Sequence, residues 1–213
     1  MRKYWFFDFD GTLMDTRDDI KAAWLAVIRA CGRECPEFER RYVTGPTLEE
    51  TAKLLFPDDW TPQLIVDFRA NYGKLYDTSG FPNTAPYQGV EAMLRRLKEK
   101  GASVWISTNK RWAPTNLLVD KFGWRPLLDG ILCSDMFLAS GGGLMKKGDL
   151  LALTAKEKGI SPEDAVMAGD MASDVAAGRA NGFHTVGCTW GYGTREELAE
   201  ADELVDSPDG IAV

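Results

Sequence analysis

Histidine is almost missing from this chain. The only one, His184, opens an apolar stretch and reads as a scaffold residue rather than a base. Cysteine is sparse too: Cys31, Cys35, Cys133 and Cys188 contain no pair of CxxC motifs, which excludes a zinc ribbon or finger. Cys31 and Cys35 are spaced to meet at a helix end, but all four are expected to be free thiols, and a cytoplasmic protein follows as the default. No stretch approaches the length of a transmembrane helix. Basic Met1-Arg2-Lys3 and the apolar run after it have the outline of a signal peptide, but Asp8 breaks the run too early for one. Positive charge is in deficit, with 25 Lys and Arg against 32 Asp and Glu and a net charge of -7. That balance argues against nucleic acid or an anionic membrane as the main partner. A small anionic substrate stays compatible with it if a metal and a few lysines make the site locally positive. There is no internal repeat and no low-complexity segment.

What is present is ordinary soluble material, 45% hydrophobic and 27% charged over 213 residues, enough for one large domain or a core with an insert. The organising stretch is Phe6-Phe7-Asp8-Phe9-Asp10-Gly11-Thr12-Leu13. Tyr4 to Phe7 supply the apolar residues that a strand buried on both faces requires. Asp8 and Asp10 share strand parity, so both can point to one side where the strand ends. Carboxylates there are disfavoured unless paired or bound to a metal. In open parallel sheets that end of the strands is where ligands bind. Two acids so placed can hold a hard cation, and one can attack an electrophile. An EF-hand is excluded, because no bidentate glutamate closes a twelve-residue loop.

Apolar residues at three- and four-residue spacing predict a helix over 15–31, with Gly32 at its end. Thr47-Leu48-Glu49-Glu50 is a capping box and Thr61-Pro62 a helix start. From about 16 to 82 the pattern is helical throughout. Residues 81–86 resemble a linker. Strands are then expected at 102–107, 130–133, 165–168, 184–188 and 203–205. Helices are expected from Val90 to a stop at Gly101, and at 114–122, 149–158 and 173–181, with a further capping box at Thr194-Arg195-Glu196-Glu197. This alternation implies a doubly wound parallel α/β sheet, a Rossmann-like core. The core is assigned to residues 1–15 and 83–213, and the insert at 16–82 to a small helical cap placed to act as a lid.

Three strand ends carry chemistry-bearing residues: Asp8 and Asp10; then Thr108 and Asn109, which can donate to an anion; then Asp170, with Asp174 one helical turn on. Asp170 can ligate a metal and Asp174 can support it. Lys146-Lys147 stands at a helix start, which the helix dipole disfavours unless an anion sits there as well; taken alone the pair reads as a solvated surface pair. Trp190 and Tyr192 lie in a glycine-rich loop after a strand end, where a packing role and a place at the border of the site are both open.

This set resembles the haloacid dehalogenase-like hydrolase superfamily, in particular phosphatases with a small helical cap after the first motif. Asp8-Phe9-Asp10-Gly11-Thr12-Leu13 looks like the first motif, Thr108 like the second, and Gly169-Asp170 with Asp174 like the fourth. For the third, Lys147 fits the spacing better than Lys146, although Gly148 stands where proline is usual. Thr189-Trp190-Gly191-Tyr192-Gly193 and Gly45-Pro46-Thr47-Leu48 are similar to stretches of phosphoglycolate phosphatase-like members. The resemblance implies Asp8 as nucleophile, forming an aspartyl-phosphate, and Asp10 as acid and base. It implies Mg²⁺ on the Asp8 carboxylate, the Asp10 main-chain carbonyl and Asp170. Thr108, Asn109 and Lys147 would bind the phosphoryl oxygens, and the partner would be a small phosphorylated metabolite. A dehalogenase needs neither Asp10 nor Asp170. A phosphomutase shares every core residue. A phospho-accepting signalling domain has no need of the insert or of the second aspartate, and a silent interaction protein has no need of the full catalytic set that is present.

Overall fold

A computed structural model describes residues 2–212. The chain divides into two compact units: one of residues 1–15 and 85–213, the other of Thr16–Thr84. In the first, β1 (Tyr4–Phe7) is the centre of a six-stranded parallel sheet. The other strands are β4 (Ser103–Thr108), β5 (Gly130–Cys133), β6 (Ala165–Gly169), β7 (His184–Cys188) and β8 (Glu203–Val205). Their order is β5-β4-β1-β6-β7-β8, which reverses direction at β1. A doubly wound sheet opens its ligand crevice at that reversal, outside the carboxyl ends of the strands. The register sets those ends level, since Phe7 pairs with Ile106 on one side and Ala168 on the other.

The aromatic run of β1 is buried on both sheet faces. Phe6 stacks on Phe183 at 5.7 Å on one face, and Trp5 and Phe7 stack at 5.8 Å on the other. Phe6, Phe7 and Phe9 expose nothing to solvent, so the acids that follow leave a rigid, dry strand. The crossovers are α5 (Val90–Glu99), α6 (Trp112–Lys121), α7 (Lys147–Lys158) and α8 (Ala172–Ala180). α8 ends where Gly182, at φ +68°, lets the Phe183 N–H reach the Gly178 carbonyl at 3.0 Å, which turns the chain into β7.

The second unit is all helical among the described residues: α1 (Arg17–Ala30), α2 (Phe38–Arg41), α3 (Leu48–Leu55) and α4 (Pro62–Asp77). Trp24, Val27, Leu55, Leu64 and Phe68 form its own apolar core. The Thr47 box closes as expected, its hydroxyl accepting from the Glu50 N–H. Its chain ends are tied together by buried Asp19, whose carboxylate accepts from the Asn83 N–H at 3.1 Å and the Thr84 hydroxyl at 2.6 Å.

The structure differs from the sequence expectations at four places. The stretch 81–86 is not only a linker: Ala85–Pro86 forms β3, antiparallel to β2 (Met14–Asp15). α2 has four residues, too few to show a period. The helix expected from Asp149 starts at Lys147, two residues earlier. At Thr194 both capping contacts form, Thr194 N–H to Glu197 at 2.8 Å and Glu197 N–H to the Thr194 hydroxyl at 3.2 Å, yet only turns follow. A run of Glu-Glu-Leu-Ala-Glu has one apolar residue to bury, Leu198, and cannot stabilise a helix by packing.

Candidate active site

The reversal of strand order brings three chain segments together. Asp8 follows β1, its N–H still paired to the Ala168 carbonyl at 2.9 Å. Thr108 is the last residue of β4 and Asp170 the first after β6. Asp8, Asp170 and Asp174 are all buried, and one carboxylate oxygen from each lies within 4.8 Å of the other two. Lys147, the first residue of α7, is buried beside them. Its ammonium donates to Asp8 Oδ1 at 2.8 Å and, closer still, to Asp174 Oδ1. A lysine at a helix N-terminus is held here by two carboxylates, which offset the dipole. Lys146 is exposed.

Each acid is fixed by its neighbours. Asp174 is the third residue of α8, and its other oxygen accepts from the Met171 N–H at 3.0 Å. Asp170 accepts from the Thr12 hydroxyl at 2.7 Å and from the Tyr192 N–H at 2.8 Å. Trp190 donates its indole N–H to the Thr12 carbonyl at 2.9 Å, so the glycine-rich loop touches both the first motif and the third strand end. Glycine is enforced in that loop: a Cβ on Gly191 would lie 2.2 Å from the Asp170 Cβ, and one on Gly193 2.1 Å from the Asp170 carbonyl. Gly11, at φ +88°, faces the same carboxylate, where a Cβ would stand 2.2 Å from Oδ2.

Asp10 turns away from this cluster and is partly exposed. Lys110, from the segment after β4, donates to both of its oxygens, at 2.9 and 3.2 Å. Thr108 is buried, and its Oγ accepts the Lys110 N–H at 3.1 Å, which leaves its own O–H to donate. Asn109 is exposed, and its carbonyl takes the Ser134 hydroxyl at 2.9 Å. Lys110 is the residue that motif reasoning passed over. Its only signal in the sequence is a lysine two positions past a strand end.

The electrostatics follow from burial. Desolvation pushes the Asp8 carboxyl up to about 8, with the Asp174 and Asp170 charges adding to it and Lys147 opposing. Burial and Asp174 push Asp170 up to about 6. Burial disfavours the Lys147 ammonium, but Asp174 and Asp8 outweigh it and hold the lysine charged. Three acid side chains therefore share one ammonium where burial excludes water. An all-oxygen donor set with a charge deficit of this kind suits a hard divalent cation such as Mg²⁺. Cys188 behind them is a buried thiol pushed well up by desolvation, and all four cysteines are free.

Fold and acid cluster together define a doubly wound α/β protein with a carboxylate site at its strand reversal. Residues 5–188 match the model of the haloacid dehalogenase-like hydrolases. A phosphoglycolate phosphatase of Xylella fastidiosa is 30% identical over 210 residues, covering 95% of this chain and 88% of that protein. The tyrosine-protein kinase PtkA of Mycobacterium tuberculosis is 27% identical over 200 residues, 93% of this chain. The chain spans only 66% of the length of that kinase. A haloacid dehalogenase-like family hydrolase of Streptococcus pneumoniae shares the fold with a TM-score of 0.83 at 23% identity, covering 97% of this chain and 95% of that one. The chain belongs to the haloacid dehalogenase-like hydrolases.

Proposed function

We propose that the protein is a Mg²⁺-dependent phosphomonoester phosphatase acting on a small phosphorylated metabolite through an aspartyl-phosphate on Asp8. The observation that carries this is the different placing of the two aspartates at the end of β1. Asp8 sits inside the buried cluster with Lys147, while Asp10, two residues on, is held outside it by Lys110. The nucleophile and the proton carrier are thus in different environments, as two carboxyl groups with two roles require.

In the first step an Asp8 oxygen bonds to phosphorus as the ester P–O bond breaks, and Asp10 gives its proton to the departing oxygen. In the second step Asp10 takes a proton from water, whose oxygen bonds to phosphorus as the bond to Asp8 breaks. Inorganic phosphate leaves, and both carboxyl groups return to their starting forms. The Thr108 hydroxyl, the Asn109 amide and the Lys147 ammonium face the phosphoryl oxygens, where charge builds up. Asp8, Asp170 and the Asp10 carbonyl would hold Mg²⁺, with Asp174 supporting through Lys147 and the Met171 amide. The metal supplies a counter-charge that lets an anionic nucleophile approach an anionic ester. The helical unit of residues 16–84 serves as a cap that selects the alcohol part of the substrate. Phosphoglycolate, the substrate that the Xylella relative's name carries, is the first compound to try. A cytoplasmic setting suits the four free thiols.

The test is phosphate release from an aryl phosphate and a metabolite panel, with Mg²⁺, with chelator, and with Asp8→Asn. Metal-dependent release that vanishes in the variant supports the reading, and no release from any compound overturns it. The name of the mycobacterial relative raises a second possibility, transfer to protein tyrosine. Incubation with γ-labelled ATP separates the two: a kinase leaves label on tyrosine that survives alkali and hydroxylamine, whereas label held as an aspartyl-phosphate on Asp8 is released by either.

A further inference from the structure

Lys110 has no part in the scheme above, although its side chain is 6% exposed and its ammonium bonds both oxygens of Asp10. It reaches Asp10 from the segment after β4, across 100 residues of sequence. Two anchors fix where it stands. Its N–H is bonded to the Thr108 hydroxyl at 3.1 Å, and the segment beyond is pinned where the Trp112 N–H meets Asp135 at 2.7 Å. A buried ammonium with two contacts to one carboxylate sets both the direction and the plane of that group.

We propose that Lys110 is a positioning residue for proton transfer: it holds the Asp10 carboxyl in line with the leaving-group oxygen and acts on the reaction only through Asp10. This rests on the phosphatase reading. Two lysines then divide the site. Lys147, on Asp8, serves the phosphoryl side. Lys110, on Asp10, serves the alcohol side. The geometry matters because proton transfer needs a heavy-atom approach of about 2.6–3.2 Å, and an unanchored carboxyl turns about two side-chain bonds. One of the two contacts to Lys110 must open while Asp10 carries its proton, and the other keeps the group aimed.

The experiment compares Lys110→Met, Lys110→Arg and Asp10→Asn with wild type on two esters. One is an alkyl phosphate, whose alcohol needs a proton to leave. The other is a nitrophenyl phosphate, whose phenolate leaves without one. The quantity to compare is kcat/KM, which covers only the steps up to departure of the leaving group. For Lys110→Met the alkyl ester should lose about tenfold or more, within the range general acids contribute, and the nitrophenyl ester less than about threefold. Lys110→Arg, which keeps charge and donors, should recover part of the alkyl loss. Adding Lys110→Met to Asp10→Asn should cost nothing further, because both act through one proton.

Equal loss on both esters would assign Lys110 to substrate binding or to packing and overturn the proposal. So would full activity on both, or additive losses in the double variant. Mg²⁺ titration of each variant by calorimetry checks that the carboxylate cluster survives. A wild type that releases phosphate from neither ester sinks the phosphatase reading itself, and this inference with it, whereas the outcomes above sink only the role of Lys110.

Discussion

Asp8 is where residue-level physics and proposed chemistry meet. A carboxyl that burial raises to about 8 keeps its proton in the folded, metal-free protein at a pH where the unfolded chain has lost it. The folded state then binds more protons than the unfolded one, from the ordinary aspartate range near 4 up to about 8. Stability contributed by this group therefore falls as pH rises through that window. Asp8→Asn removes the effect, so the variant should be more stable than wild type in chelator at pH 8, by on the order of 1–3 kcal/mol. At pH 4.5 the difference should shrink. Denaturant unfolding at the two pH values, read as free energies, checks it. Added Mg²⁺ should stabilise wild type more than the variant, since a cation binds the charged form.

The sequence disclosed Asp8, because an acid two positions before another and directly after an aromatic strand has few bland explanations. It did not disclose Lys110. Contacts made across strands leave no local spacing to find, and Asn109-Lys110 after Thr108 looks like any polar strand end.

At the scale of single elements, α8 makes a prediction against propensity. Gly178 lies inside this helix, where alanine is ordinarily better by about 1 kcal/mol. A Cβ there would stand 2.6 Å from the Thr185 methyl and 2.8 Å from the Met167 Cβ, on the strands beneath. Gly178→Ala should thus destabilise, by about 1–3 kcal/mol, through overpacking. A rise in the thermal midpoint would show that β6 and β7 yield more easily than this contact implies.

Elements with a strong period were legible. The apolar faces of α1, α4 and α5 and the runs of β5, β7 and β8 lie at or within two residues of where the sequence places them. What stayed hidden was short or conditional. β3 is two residues and ends in proline, and its partner β2 is equally short, so their pairing depends on the chain returning from the insert. The Thr194 box shows the converse. Its local hydrogen bonds form as the sequence spells them, but helix propagation needs an apolar face, and that is absent.

Over the whole molecule, the two units have separate cores. Asp19 is the clasp of the helical one. It is 4% exposed, and its carboxylate takes contacts from Asn83 and Thr84. Asp19→Ala leaves those donors unmet and should cost about 2–4 kcal/mol in that unit. Hydrogen exchange would report it as lost protection in α1 and α4 while the central sheet stays protected; uniform loss would mean that the units unfold as one.

The ribbon of β2 and β3 carries a consequence for how such a chain can be taken apart. Asp15 pairs with Ala85 and Met14 with Pro86, antiparallel, so the core unit closes the gap left by residues 16–84 with a ladder of its own. A two-residue Asn-Gly turn is what normally joins strands paired this way. Grafted in place of 16–84, it should give a shortened protein that folds, and on the proposed function one that still binds Mg²⁺ but has lost its choice among alcohols. The junction is then a socket. On the proposed function, the helical module is removable there without touching the residues that do the chemistry, much as a tool keeps its motor when the bit comes out.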